Sequence, residues 1–101
     1  RLFWDEGRYP QARDWFTKTI QAARSWGDGW AWWYAFEGTQ PDGATQRAHL
    51  LDKIELAEPR DGDVWKALLT KPAHAGQSVR ALLPIAAEEV MHQPTYMSTT
   101  N

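Results

Sequence analysis

The sequence predicts an all-α fold built of antiparallel helix pairs, and three observations predict it. An Asp-x-Trp triplet occurs twice, as Asp28-Gly29-Trp30 and Asp63-Val64-Trp65, with the two tryptophans 35 residues apart. Self-similarity at a fixed period of that length marks stacked supersecondary units. Apolar residues elsewhere recur three and four positions apart, the spacing of one helix face. Turn signals separate these runs, at Gln40-Pro41-Asp42-Gly43, Glu58-Pro59 and Lys71-Pro72 followed by Gly76, where proline and glycine interrupt helical hydrogen bonding. No stretch shows the alternation of a half-buried strand.

The elements follow in order. A helix is expected from Pro10 to Ala23, with Ala12, Phe16, Ile20 and Ala23 on its apolar side and Pro10 in the first turn, where a missing N–H costs nothing. A second runs from Asp28 to Thr39, with Asp28 as its N-cap and Trp30, Trp33, Tyr34 and Glu37 along one stripe. A third, Ala44 to Ala57, carries Arg47, Leu50, Leu51, Ile54 and Ala57 and stops at Glu58-Pro59. Asp61 to Thr70 forms a fourth around Trp65 and Leu68, with Asp61 and Asp63 as helix-capping residues. Gln77 to Met91 carries Val79, Leu82, Leu83, Ala86 and Val90, and Pro84 within it predicts a kink or two abutting helices. Gln93 to Asn101 is polar and is expected to fray.

Composition narrows the function. Eleven basic and 13 acidic side chains give a net charge of -2, without the cationic excess that phosphate backbones require. Cysteine is absent, which removes disulfides, thiolate metal sites and a cysteine nucleophile. No apolar run approaches a membrane span and no signal peptide is apparent, so the chain is expected to be soluble and intracellular. Beginning on Arg1-Leu2-Phe3-Trp4, inside an apolar run, it reads as a piece of something longer. Seven tryptophans in 101 residues must be buried or used in binding, since exposing several invites aggregation.

The units also carry a family likeness. Gly7, Tyr9, Ala12 and Phe16 fall at tetratricopeptide consensus offsets, with Trp30 and Pro59 in the same register, close to that repeat's 34-residue period. Trp30, Trp33-Tyr34 and Phe36-Glu37, with Ala12-Arg13-Asp14-Trp15-Phe16, resemble the half-a-tetratricopeptide (HAT) variant found chiefly in RNA-processing proteins. Together with Phe3-Trp4, Gly27-Asp28-Gly29-Trp30-Ala31-Trp32 and Ala57-Glu58-Pro59-Arg60 with Gly62 and Trp65, the pattern resembles the C-terminal repeats of the pre-mRNA-processing factor 6 family from Leu2 to about Val90. Gly29, where a small non-glycine residue is more usual, and Arg47, at the position matching Ala12, depart from it.

The resemblance implies an α-solenoid at the C-terminal end of a longer array. Its parts are a partial HAT repeat over 1–24, a complete one over 25–59, a C-terminal HAT-like repeat with capping helices over 60–92, and a tail over 93–101. It further implies a nuclear, non-catalytic scaffold of the U5 and tri-snRNP particles, whose partners are other spliceosomal proteins, with little direct nucleic-acid contact, no membrane and no small-molecule substrate. A scaffold of another RNA-processing complex, in polyadenylation or ribosome biogenesis, is the nearest alternative, and a Trp-rich sugar-binding domain a more distant one.

No cofactor is expected. His49, His74 and His92 lack ligand spacing, Asp61-Gly62-Asp63 lacks the later positions of a calcium loop, and no nucleophile elbow or phosphate loop is present. The candidate partner-binding groove, by repeat register, comprises Asp28, Trp32, Asp63 and Lys66, the last two able to pair at i,i+3. Trp32 lies ~200° from Trp30 around the helix, off the main stripe, and suits either a groove anchor or inter-unit packing. Trp26, in the connecting loop, leaves the same two readings open.

Overall fold

The computed structural model describes residues 9–92. Five α-helices follow one another: α1 (Tyr9–Ala22), α2 (Gly27–Glu37), α3 (Gly43–Ala57), α4 (Asp63–Thr70) and α5 (Val79–Met91), with a 3₁₀ turn at Pro72–His74 before the last. No strand occurs among the described residues, where Trp26 and Asp61 form a single isolated parallel bridge. The arrangement is compatible with an α-solenoid. The expected tail and the segment before Tyr9 lie outside the described residues.

Helix α2 is the axis of the molecule. Ten of its 11 residues are buried, Tyr34 being the exception, because a helix apolar all round can only sit inside. It touches α1, α3 and α4 and packs most extensively against α5. Phe16 of α1 lies parallel to Trp33 at 6.1 Å between ring centroids and 5.5 Å from Phe36, and Trp30 stacks on Trp33 at 6.3 Å. Leu50 and Ile54 of α3, Trp65 and Leu68 of α4, and Leu82, Leu83, Ala86 and Val90 of α5 complete the core.

The side chains expected on the apolar stripes of α1 and α5 divide as helical geometry requires. Ala12, Phe16 and Ile20 are buried, as are Leu82, Leu83, Ala86 and Val90, while Val79 is partly covered and Ala23, expected on the α1 stripe, lies half-buried just past the end of that helix. Proline does not divide α5, which is one helix over Val79–Met91 behind the N-cap Ser78, whose hydroxyl accepts from Ala81 N at 3.1 Å. Pro84 removes one hydrogen bond, and the buried Leu82, Leu83, Ala86 and Ala87 around it hold the helix together. At the surface Arg80 ties α5 to α3 through Asp52 (2.6 Å), and its hydrogen bond to that carboxylate raises the Arg80 pKa.

Arg47 takes the matching position to Ala12 by serving another purpose. Its Nε donates to the Tyr34 carbonyl at 2.9 Å and its guanidinium lies 4.2 Å from the Tyr34 ring centroid, joining α3 to α2.

Candidate interaction site at the junction between helix pairs

The 35-residue period reappears in the hydrogen bonds. Trp30 Nε1 donates to the Arg24 carbonyl at 3.0 Å, and Trp65 Nε1 donates to the Pro59 carbonyl at 2.7 Å, each reaching six residues back into the preceding loop. Buried indoles need such an acceptor, and both helices find it at the same offset. The loops pair with each other as well. Ser25 O accepts from Arg60 N (2.9 Å) and Asp61 N (2.8 Å), and Gly27 N donates to Asp61 O (2.8 Å). Ser25 Oγ adds a bond to the Asp61 carboxylate at 2.6 Å.

The groups that complete this junction differ from those expected. Asp28 does not cap its own helix, which begins one residue earlier behind Trp26. Its carboxylate, 2% exposed, caps α4 instead, accepting from Trp65 N at 2.8 Å and Val64 N at 3.1 Å. The residue at the N-cap position of α4 is Gly62, with φ 108° and no capping side chain. A Cβ there would come within 2.5 Å of Asp28 Oδ1, so glycine both adopts the backbone angle and leaves room for the incoming carboxylate. Asp61 and Asp63 therefore do not cap α4. Asp28 lies in the first turn of α2 and at the start of α4, so two helix N-termini face one buried anion, which offsets the loss of its hydration.

A second buried carboxylate fixes the other side of α2. Glu37, 0% exposed, accepts from Arg13 Nη2 (2.7 Å), Arg13 Nε (2.9 Å) and Trp33 Nε1 (3.1 Å). The same guanidinium reaches Asp42 in the α2–α3 turn at 3.1 Å, so Arg13 clamps α1 to both. This bidentate grip raises the Arg13 pKa, and the Arg13 hydrogen bond holds the exposed Asp42 carboxyl below the usual carboxylate range. The Ala-Arg and Phe-Glu signatures thus meet in space.

Of the four expected groove residues, the structure separates two from two. Asp28 and Trp32 are buried within the chain, Trp32 at 3% exposure because α2 is enclosed on every side. Asp63 and Lys66 are exposed on α4, and no ion pair joins them. Trp26 is half-buried and covers Gly29. A Cβ on Gly29 would collide with the Trp26 ring and approach Ile20 Cδ1 to 2.9 Å, which is why glycine stands there. An open cleft of about 280 Å³ between α1, α2 and α3 has Ile20, Trp30 and Trp33 as its floor and Arg24, Lys53 and Leu56 at its rim. No group of three or more His, Asp or Glu side chains suited to a metal gathers among the described residues. No helix of the described residues is long and apolar enough to cross a membrane.

Sequence reasoning missed the Asp28 cap and the Arg13–Glu37 clamp. A glutamate on an otherwise aromatic stripe signals the clamp, since a buried carboxylate needs a cation. A glycine at the helix-start position two residues after Arg60 signals the cap, since some other group must satisfy the free amides.

Fold and junction together define a class: all-helical proteins in which successive interhelix loops and helix starts are hydrogen-bonded to one another. Among known proteins, the chain is 31% identical over 90 residues to Pre-mRNA-processing factor 6 of Homo sapiens, covering 89% of this chain and 10% of that protein. It is 30% identical over 83 residues to Protein STABILIZED1 of Arabidopsis thaliana (82% and 8%), and 28% identical over 86 residues to Pre-mRNA-splicing factor prp1 of Schizosaccharomyces pombe (85% and 9%). Over this segment the chain is a homologue of proteins named Pre-mRNA-processing factor 6, at about 30% identity over most of its length. It spans about a tenth of the length of the curated relatives it matches. No protein-family model matches it, and no solved structure does.

Proposed function

We propose that this chain is a non-catalytic scaffold segment of a nuclear pre-mRNA splicing protein, built from HAT-like helix pairs that hold other spliceosomal proteins in place. The observation that carries the reading is similarity across 89% of the chain to Pre-mRNA-processing factor 6, with relatives named for splicing in a yeast as well. The U5 and tri-snRNP particles are the setting that the family resemblance gives it. The internal chemistry supports the scaffold part: the aromatic residues and the buried carboxylates are spent on holding helices to one another. Phe16, Trp30 and Trp33 stack on one another across α1 and α2.

Among the described residues, surfaces open to a partner include Asp63 and Lys66 on α4 and the cleft whose rim is Arg24, Lys53 and Leu56. Affinity purification of the protein that carries this chain, followed by mass spectrometry, tests the assignment. Spliceosomal proteins are the expected companions, and recovery of polyadenylation or ribosome-biogenesis factors in their place overturns it. Lys53→Glu together with Leu56→Ala should weaken association at the cleft without altering helicity, since Leu56 is 82% exposed.

A further inference from the structure

We infer that the cleft between α1, α2 and α3 binds a peptide segment of a partner protein that presents one apolar side chain flanked by carboxylates. The inference deepens the reading of this cleft as a surface open to a partner, and it does not depend on the splicing assignment. By the register of the repeat, α1 and α3 are the second helices of successive units. The cleft shares no residue with the groove expected along the first helices at Asp28, Trp32, Asp63 and Lys66.

Size and floor set the anchor. Ile20, Trp30 and Trp33 form the floor, and Leu56 stands at the rim, 82% exposed. An apolar cavity of about 150 Å³ is large enough for benzene, so an opening of about 280 Å³ receives one aromatic or branched aliphatic side chain together with part of its backbone. Of the polar wall residues, Thr17 spends its hydroxyl on the Arg13 carbonyl at 2.8 Å. The exposed Gln21 amide is left to hydrogen-bond a peptide backbone.

Charge sets the flanks. Arg24 and Lys53 line the cleft, both are exposed, and no lining residue is acidic, in a chain whose 13 acids outnumber its 11 bases. Other cations are matched internally, Arg13 to Glu37, Lys18 to Asp14 and Arg80 to Asp52. The acids nearest Lys53 along α3 are drawn away from it, since Asp52 and Glu55 both turn to Arg80, at 2.6 and 3.7 Å. Neither Arg24 nor Lys53 has an ion-pair partner among the described residues. Carboxylates beside the anchor give both cations a partner and fix its register. Two cations are too few to hold a phosphate backbone, whose binding grows with each phosphate neutralised, and the exposed Leu56 suits an apolar peptide side chain instead.

Selection of random dodecapeptides displayed on phage against the chain tests this, followed by fluorescence polarisation of the recovered peptides. They should carry a single Phe, Trp, Leu or Ile with Asp or Glu close on either side. Arg24→Glu and Lys53→Glu should each weaken their binding about fivefold or more, since each reverses one rim ion pair, and Leu56→Ala should weaken it by a similar factor. All three positions are exposed, so far-ultraviolet circular dichroism should not change. Lys71→Glu, the same charge change outside the cleft, should leave binding as it was. A second selection against the Arg24→Glu, Lys53→Glu double variant should exchange the acidic flanks for basic ones. Peptides without acidic flanks whose binding still depends on Leu56 overturn the inference and leave the cleft a partner site. Recovery of no peptide sensitive to the cleft variants overturns both. Saturable binding of a single-stranded RNA decamer, lost in the same variants, assigns the cleft to nucleic acid and overturns the inference equally.

Discussion

Replacing Asp28 with alanine exposes what the junction contributes. The carboxylate accepts two backbone hydrogen bonds, at 2.8 and 3.1 Å, from the first turn of α4 and is buried. Loss of a helix cap costs about 1 kcal/mol where the freed amides reach water, and roughly 1–3 kcal/mol for each amide that stays buried without an acceptor. Relief of the buried charge offsets part of this, and about 3 kcal/mol remains. For a chain of this size that is a fall in melting temperature of roughly 12–24 °C. Thermal and urea denaturation followed by far-ultraviolet circular dichroism and Trp fluorescence measure it. The comparison is Asp63→Ala, the same residue type one period later, which is exposed and accepts no bond from the described residues. That substitution should change stability by less than about 0.5 kcal/mol. Equal effects of the two substitutions, or a neutral Asp28→Ala, refute the argument that the Asp28 carboxylate of α2 starts α4.

Four further outcomes follow from the same geometry. Arg13→Ala leaves the fully buried Glu37 without its cation and should cost about 2–3 kcal/mol, less than a wholly buried pair because the Arg13 side chain is 34% exposed; a double-mutant cycle with Glu37→Gln should recover part of the loss. Gly29→Ala should destabilise by about 1–3 kcal/mol through collision with Trp26, although helix propensity alone predicts a gain of ~1 kcal/mol, so the sign of the change in urea midpoint decides. Trp32→Ala should lower stability by about 3–5 kcal/mol as a core truncation, and retention of full helicity and melting temperature with loss of partner binding alone contradicts its burial. The Asp42 carboxyl, held low by Arg13, stabilises the fold above the ordinary carboxylate range and ceases to do so as pH falls through its lowered value, so the difference in melting temperature between wild type and Asp42→Asn should vanish in strong acid.

The helices were readable because their signals are local. α1 and α3 end at Ala22 and Ala57, within one residue of the positions where the apolar stripe and Pro59 place them. The start of α4 was harder: Asp61 is drawn into the loop pairing with Ser25, so the helix begins at Asp63. Both junction devices join residues 24 to 37 positions apart, and no local pattern reports which buried carboxylate meets which amide or guanidinium. Trp32 illustrates the same limit. Counting degrees around α2 finds it off the Trp30 stripe, but only the packing of α5 against α2 reveals that both sides of the helix are interior. Asp63 and Lys66 were placed on α4 by register and lie exposed there, while the acids that matter to the fold are Asp28 and Glu37.

Site-resolved hydrogen exchange at the five junction amides, those of Gly27, Arg60, Asp61, Val64 and Trp65, tests the central claim most directly. All five donate between the segment 25–28 at the start of α2 and the segment 60–65 at the start of α4, so all five should be protected to a common degree, and Asp28→Asn should release Val64 and Trp65 first. Rapid exchange at these amides while the interiors of α2 and α5 stay protected contradicts the account, for it means the starts of α2 and α4 do not hold each other through this junction.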